Sequence, residues 1–222
     1  MTASTPENWR RTDVFLADLL VGDDPSLEKA LAAQESAGMP RIEVAPVAGK
    51  LLNLLARMSG ARRVLEVGTL GGYSTIWLAR AVGDGGTVST IEAEPGNAEI
   101  ARGSIDAAGV GERVEILVGR GEDVLPTLAG REPYDLVFID ADKESNTIYL
   151  DWAARLGRPG TVVVLDNIGR EGEILNEDTS DPMVIGTRAG LQMLSDDPRF
   201  DATALQTVGQ KGWDGFAVAL VV

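Results

Sequence analysis

Directly after the apolar run Leu136–Ile139 the chain places Asp140, Asp142 and Lys143, with no turn residue between. Charges at the mouth of an apolar strand are costly to desolvate, so they either mark where the strand surfaces or form a site. A second run, Val162–Leu165, ends in Asp166 and Asn167. Neighbouring strands lie about 4.8 Å apart, so Asp140, Asp166 and Asn167 can converge on one point if the two runs are adjacent. Two carboxylates and an amide select a hard divalent cation, Mg2+ foremost, with Mn2+ and Ca2+ as alternatives. The chain contains neither His nor Cys, which removes imidazole and thiolate ligands and the usual general base. Any base is therefore Lys, Asp, Glu or Tyr. Lys143 is the candidate, because a lysine beside a divalent cation gives up its proton more readily. The plainer readings, Asp-Asn as a turn former and Lys143 as a loop lysine, each explain one strand end but not the coincidence of two.

A second set of residues could hold a nucleotide. In "VLEVGTLGGYST" an apolar strand runs into Gly68, Gly71 and Gly72, and a helix begins near Ser74, an N-cap type of residue. The dinucleotide fingerprint needs a glycine two residues after the first, and Leu70 stands there instead. Glu66, just before the turn, adds a negative charge that suits a cationic ammonium better than a pyrophosphate. Glu92 closes the next strand 20 residues after Gly72, where an acidic side chain commonly accepts ribose hydroxyls.

The elements that must position these residues are legible in the apolar rhythm. Over the first 60 residues, "PENWRRTDVFLADLLV", "DPSLEKALAAQESAG" and "VAGKLLNLLARMSG" carry helix starts and 3–4 apolar spacing. From residue 61 onward short β-branched runs alternate with helical stretches such as "STIWLARAVG" and "EDVLPTLAG". That alternation predicts an α/β, doubly wound, mostly parallel sheet covered on both faces. The runs "DATALQTVG" and "GFAVALVV", joined by "QKGWD", can pair only as an antiparallel hairpin that closes the sheet. At 222 residues the chain reads as a single domain, 1–222, with a helical cap over 1–60 and a Rossmann-like core over 61–222.

Composition narrows the partners. The chain is 44% hydrophobic and 24% charged, ordinary for a globular protein, and its net charge of −14 repels nucleic-acid backbones. The basic residues are scattered, and no apolar span approaches membrane-crossing length. Neither a nucleic acid nor a membrane is expected, and the location expected is cytoplasmic.

Taken in this order, the pieces resemble the bacterial branch of the cation-dependent, S-adenosylmethionine-using O-methyltransferases of the catechol and caffeoyl-CoA type. The resemblance runs from about Leu16 to the C-terminus and rests on "RIEVAPVAGKLLNLLARMSGARRVLEVGTLGGYST", "IEAEP", "FIDADK" and "LDN". It implies a class I methyltransferase fold, a seven-stranded sheet with N-terminal helices. It implies that Val44, Glu66 and Ser74, with the backbone around Gly68 and Thr69, hold the methionine half of the cofactor. Glu92 would take the ribose, and Gly121 and Glu122 would flank the adenine. Asp140, Asp166 and Asn167 would be metal ligands, with Asp140 also beside the cofactor and, like Lys143 as base, catalytic. The acceptor would be a small aromatic vicinal diol, the assembly a homodimer, and the loop 168–181 together with the N-terminal helices a substrate lid.

Two departures from the family pattern stand out. The segment that usually reads Ser-Pro-Glu-Gln-Gly is Ala45–Gly49, "APVAG", and "TVGQKGW" lacks the acid that grips the second hydroxyl in the animal catechol enzymes. Tyr73, Trp152 and Trp213 could stack on an aromatic acceptor, although core packing suits each. Two other functions compete: a non-catalytic S-adenosylmethionine-binding protein, and a nicotinamide-dependent oxidoreductase on the same kind of sheet.

Overall fold

The structure, a computed structural model, describes residues 4–222; residues 1–3, where the expected domain begins, lie outside the described residues. Three helices come first, each opened by a proline at its start: α1 Pro6–Leu20, α2 Pro25–Ser36 and α3 Pro46–Met58. Proline suits that position because its fixed φ is already helical and its missing N–H would find no partner there. Thr5 caps α1 and Asp24 caps α2 by accepting backbone N–H bonds.

The core then alternates as β1 Arg63–Val67, α4 Tyr73–Val82, β2 Thr87–Glu92, α5 Pro95–Ala107 and β3 Val114–Val118. It continues with α6 Gly121–Val124, β4 Leu136–Ile139, α7 Asn146–Leu156, β5 Val162–Asp166, α8 Pro182–Asp196, β6 Phe200–Gly209 and β7 Gly212–Val221. The seven strands form one sheet in the order β3-β2-β1-β4-β5-β7-β6. β7 alone runs against its neighbours β5 and β6. The fold and the closing hairpin are those expected from the sequence.

Local details differ where single residues override the rhythm. The helix expected over "EDVLPTLAG" is short, because Pro126 converts its second half to a 3-10 turn, Leu125–Leu128. The hairpin turn is only Gln210 and Lys211, since Trp213 and Asp214 already pair in β7. The expected lid loop contains a 3-10 segment, Arg170–Leu175, broken by left-handed backbone at Glu171 and Gly172.

One apolar layer packs α3, α4 and α5 on the sheet through Leu52, Ile76, Leu78 and Ile105. The other packs α7 and α8 through Tyr149, Leu150 and Leu194. These layers fix the strand ends where β1 and β4 lie side by side, in register Val67↔Ile139. Gly68, one step further, has φ +103, and a Cβ there would meet the Asp140 carbonyl oxygen at 2.1 Å. Only glycine fits both the backbone angle and the approach. Gly68→Ala is therefore expected to destabilise the protein by about 3 kcal/mol or more, read as a drop in the urea midpoint; an unchanged midpoint would mean the two strand ends can part freely.

Candidate active site

In an open α/β sheet the crevice forms where neighbouring strands send their chains in opposite directions. Here that point is the β1/β4 junction, and a cleft of about 1020 Å3 opens above it. Its wall is drawn from the turns after β1, β2, β3, β4 and β5, with residues 41–45 above.

The register Ile139↔Leu165 sets Asp140 and Asp166 at adjacent strand ends, as the sequence predicted. Lys143 bends back over one turn, and its Nζ donates to Asp140 Oδ1 at 2.8 Å. That ammonium is almost fully buried, at 4% side-chain exposure, against 21% for Asp140. Burial first, then the neighbouring Asp140 charge, push the Asp166 carboxyl above its usual range, while Lys143 pulls it back. Asn167 is left-handed at φ +58, a conformation asparagine tolerates, and it lines the cleft beside Asp166. Asp142 turns to Ser145 Oγ and Tyr149 OH, each donating at 2.5 Å.

The glycine-rich side is organised by two glutamates. Glu66 is fully buried and lies outside the cleft wall, in register between Thr90 and Phe138. Its carboxylate accepts from Ser74 Oγ at 2.6 Å, Thr75 Oγ1 at 2.5 Å and Thr90 Oγ1 at 2.6 Å. It thus stands one side chain back from any ligand, with Ser74 between. Glu92 does reach the cleft, and it also clamps the turn by accepting from Leu70 N at 2.8 Å, Glu94 N at 3.0 Å and Asn97 Nδ2 at 3.2 Å. Val44, Gly68, Thr69, Ser74 and Gly121 line the cleft as expected. Glu122 does not; it pairs with Arg120 at 2.8 Å, and Arg120 takes the place on the wall.

Several cleft residues had no signal in the sequence. Gln34 reaches in from α2, its Nε2 donating to Pro40 O and to Glu43 Oε2 at 2.8 Å each while its buried Oε1 has no partner. Glu43 Oε1 in turn accepts from Lys211 Nζ at 2.8 Å, so the hairpin turn is tied to the roof of the cleft. The register Thr207↔Asp214 brings Asp214 to the wall. Its Oδ1 accepts from Gly169 N at 2.7 Å and Arg170 N at 3.2 Å. Of the expected lid loop, Arg170 is the residue on the wall, and α1 contributes none. Among the aromatic candidates Tyr73 lines the cleft, whereas Trp152 lies beneath Arg155 on another face and Trp213 donates to Gln206.

These residues fit the two groups the fold implies. A Cβ on Gly71 would strike Gln34, and one on Gly121 would strike the Tyr149 ring at 2.6 Å, so glycines keep the cradle open at both ends. The orphan Gln34 Oε1 and the glutamate carboxylates are acceptors for an ammonium and hydroxyls. For a cation the donors are all oxygen, and Asp140 and Asp166 repel each other, a repulsion that Lys143 offsets in part and a cation would offset further. Among the described residues no cluster of three or more carboxylate, imidazole or thiolate groups is formed; Asn167, on the wall beside Asp166, would supply the third oxygen for a cation.

A family model described as O-methyltransferase matches residues 21–217. The chain belongs to the O-methyltransferase family. It is 57% identical over 209 residues to a catechol O-methyltransferase of Mycobacterium tuberculosis, covering 94% of each chain. It is 46% identical over 215 residues to a catechol O-methyltransferase of Niastella koreensis, covering 96% of this chain and 97% of that one. Among solved structures it matches the Bacillus cereus O-methyltransferase in complex with SAH at TM-score 0.96 and 46% identity, over 98% of this chain and all of that one. The fold of this O-methyltransferase is thus the class I methyltransferase fold, and the nicotinamide reading falls with the family match. Among the described residues no helix is long and apolar enough to cross a membrane.

Burial, opposed by the three hydroxyls, pushes the Glu66 carboxyl from 4.5 up to about 7. A carboxyl raised in the folded state stabilises it fully below the unfolded value, and that contribution is lost as pH climbs through the folded value. Between pH 4.5 and about 7, wild type should therefore lose on the order of 3 kcal/mol relative to Glu66→Gln. Urea unfolding of both proteins across that window measures it. A difference that stays flat with pH would show that the carboxylate is not held out of water.

Proposed function

We propose that this O-methyltransferase moves a methyl group from S-adenosylmethionine to one hydroxyl of a small aromatic vicinal diol, with a divalent cation holding the diol. The observation that carries the reading is the buried Lys143 ammonium 2.8 Å from Asp140, at adjacent strand ends with Asp166 and Asn167, facing the cleft. The SAH in the Bacillus cereus relative and the names of the two catechol O-methyltransferases point the same way.

Each residue then has a task. Asp140, Asp166 and Asn167 would hold the cation, Mg2+ foremost. Val44, the backbone of Gly68 and Thr69, and Ser74 would hold the methionine half, with Glu66 fixing Ser74 from behind. Glu92 has carboxylate lone pairs left for ribose hydroxyls, and Arg120 and Gly121 would border the adenine end, with Glu122 holding Arg120 from outside the wall. When bound, the cofactor supplies a sulfonium methyl and the cation a charge that acidifies the coordinated hydroxyl. Lys143 would act as the base only after its ammonium has released one proton to solvent, which a cation beside it favours; the neutral amine's lone pair at Nζ then takes the hydroxyl proton, restoring the ammonium that donates to Asp140. The cleft wall keeps donor and acceptor in attack geometry, which supplies much of the acceleration, and excludes water from a step in which opposite charges neutralise. Arg170 on the wall supports the reading that the loop 168–181 belongs to the substrate side.

The reading includes a cytoplasmic homodimer. Phe15, Leu19 and Leu20 on α1 are each more than 60% exposed, an apolar stripe of the kind a second copy would cover. Phe15→Glu with Leu19→Glu should shift the protein to a monomer in sedimentation; an unchanged mass would place the contact elsewhere.

The activity itself is tested with labelled S-adenosylmethionine, a catechol panel, Mg2+ and EDTA. Turnover should vanish with chelator and fall by about a hundredfold or more in Asp140→Ala and Lys143→Met. Glu92→Gln should chiefly raise the KM for S-adenosylmethionine, by about tenfold. Turnover indifferent to EDTA would remove the cation, and cofactor binding without turnover on any diol would favour the non-catalytic reading.

A further inference from the structure

Arg170 is an unneutralised cation in the wall of the cleft. It follows Asn167 by three residues, and the chain reverses around it in left-handed backbone, φ +51 at Arg170 and +54 at Glu171. Such angles are unfavourable for side chains other than glycine and asparagine. They are held in place by Asp214, whose Oδ1 takes the Gly169 and Arg170 amides at 2.7 and 3.2 Å. The result aims the guanidinium along the wall toward Met183, where its only partner among the described residues is the Sδ atom, at 3.6 Å. A thioether is a weak acceptor. Nε is buried with no partner at all.

The contrast with its surroundings is informative. The protein carries a net charge of −14, and the other basic groups on the same wall are neutralised: Lys143 by Asp140, Arg120 by Glu122, Lys211 by Glu43 and Arg41 by Glu35. Among the described residues no carboxylate forms an ion pair with Arg170. Asp214, the acid bound to its main chain, spends Oδ1 on amides rather than on the guanidinium. A guanidinium cannot shed its proton, and on this half-buried residue the buried Nε–H has no partner, so an anion on the fork would supply the acceptor the site lacks. Its planar fork matches a carboxylate in bidentate fashion.

Resting on the methyl-transfer reading above, we propose that Arg170 is a specificity residue that binds an acidic substituent of the acceptor, so that the preferred substrate is a diol carrying a carboxylate. The position supports the acceptor rather than the cofactor. Arg170 belongs to the β5 side of the cleft with Asn167 and Met183, while the glycine-rich turn, Ser74 and Glu92 lie at the β1 and β2 ends. Asp214, which holds the backbone that carries Arg170, stands next to the place where the hairpin lacks the family's acid.

The test compares 3,4-dihydroxybenzoate with its primary amide, which keeps size and both hydroxyls but drops the charge. Equilibrium binding to the protein loaded with Mg2+ and SAH is measured by calorimetry for wild type, Arg170→Gln and Arg170→Lys, alongside kcat/KM ratios. Wild type should bind the acid at least about tenfold more tightly than the amide. Arg170→Gln should cut that advantage to about twofold or less. Arg170→Lys, which keeps the charge and loses the fork, should fall between. SAH affinity should move by less than about twofold in either variant. Equal binding of acid and amide to wild type overturns the proposal without any variant. So does an advantage that survives in Arg170→Gln, which would assign the carboxylate to the cation, or an equal loss of SAH affinity, which would assign Arg170 to the cofactor. If the acid's binding advantage depends on Arg170 but neither compound is methylated, the anion site stands and the methyl-transfer reading fails.

Discussion

Glu66 sits in the floor of the sheet between Thr90 on β2 and Phe138 on β4, out of reach of solvent, with three hydroxyls on its carboxylate. A charge or a proton buried there is tolerable only while those hydroxyls stay in place. Two of them, on Ser74 and Thr75, open α4, so the start of that helix is fastened to the strand before it. The turn between strand and helix then has one course to follow, over Gly68 and back through left-handed Leu70 and Gly72. Glu92 fastens the same turn from the next strand. The cradle's shape is therefore set by one carboxylate that holds hydroxyls and one that holds backbone amides.

The acidic strand ends that meet at the cleft were readable in the sequence because two signals coincide there. An apolar run demands burial, and an acid directly after it has no cheap explanation in packing. Asp140, Asp166 and Asn167 stand out for that reason, and the sheet register brings them together. What could not be read is whatever depends on contacts distant in sequence. Glu66 looked like a ligand because it precedes a glycine-rich turn, but its depth is decided by Thr90, 24 residues away. Asp214 looked like a turn residue until the hairpin register carried it to the wall. Pro126 and left-handed Arg170 act locally, yet apolar periodicity does not register either of them.

Charge is distributed unevenly around this site. The acidic surface is general, whereas each basic side chain on the wall but one is matched to a carboxylate. On the proposed reading, this division would keep the cleft from collecting anions indiscriminately while leaving a single fork to choose one. On the same reading it would also separate two jobs that are often merged: the strand ends would handle the reacting oxygens, and the loop after β5 the rest of the molecule.

The tie from Lys211 through Glu43 to Gln34 has a consequence for traffic. It joins the last hairpin to residues near the start of the chain, so both walls of the mouth are strung on one polar thread. Neither side can swing out alone without breaking it. Lys211 is 42% exposed at this pair, and an ion pair so placed is weakened by dissolved salt. Ionic strength thus loosens the charged link that ties the hairpin turn to the roof of the cleft, while the buried bonds behind it are little screened.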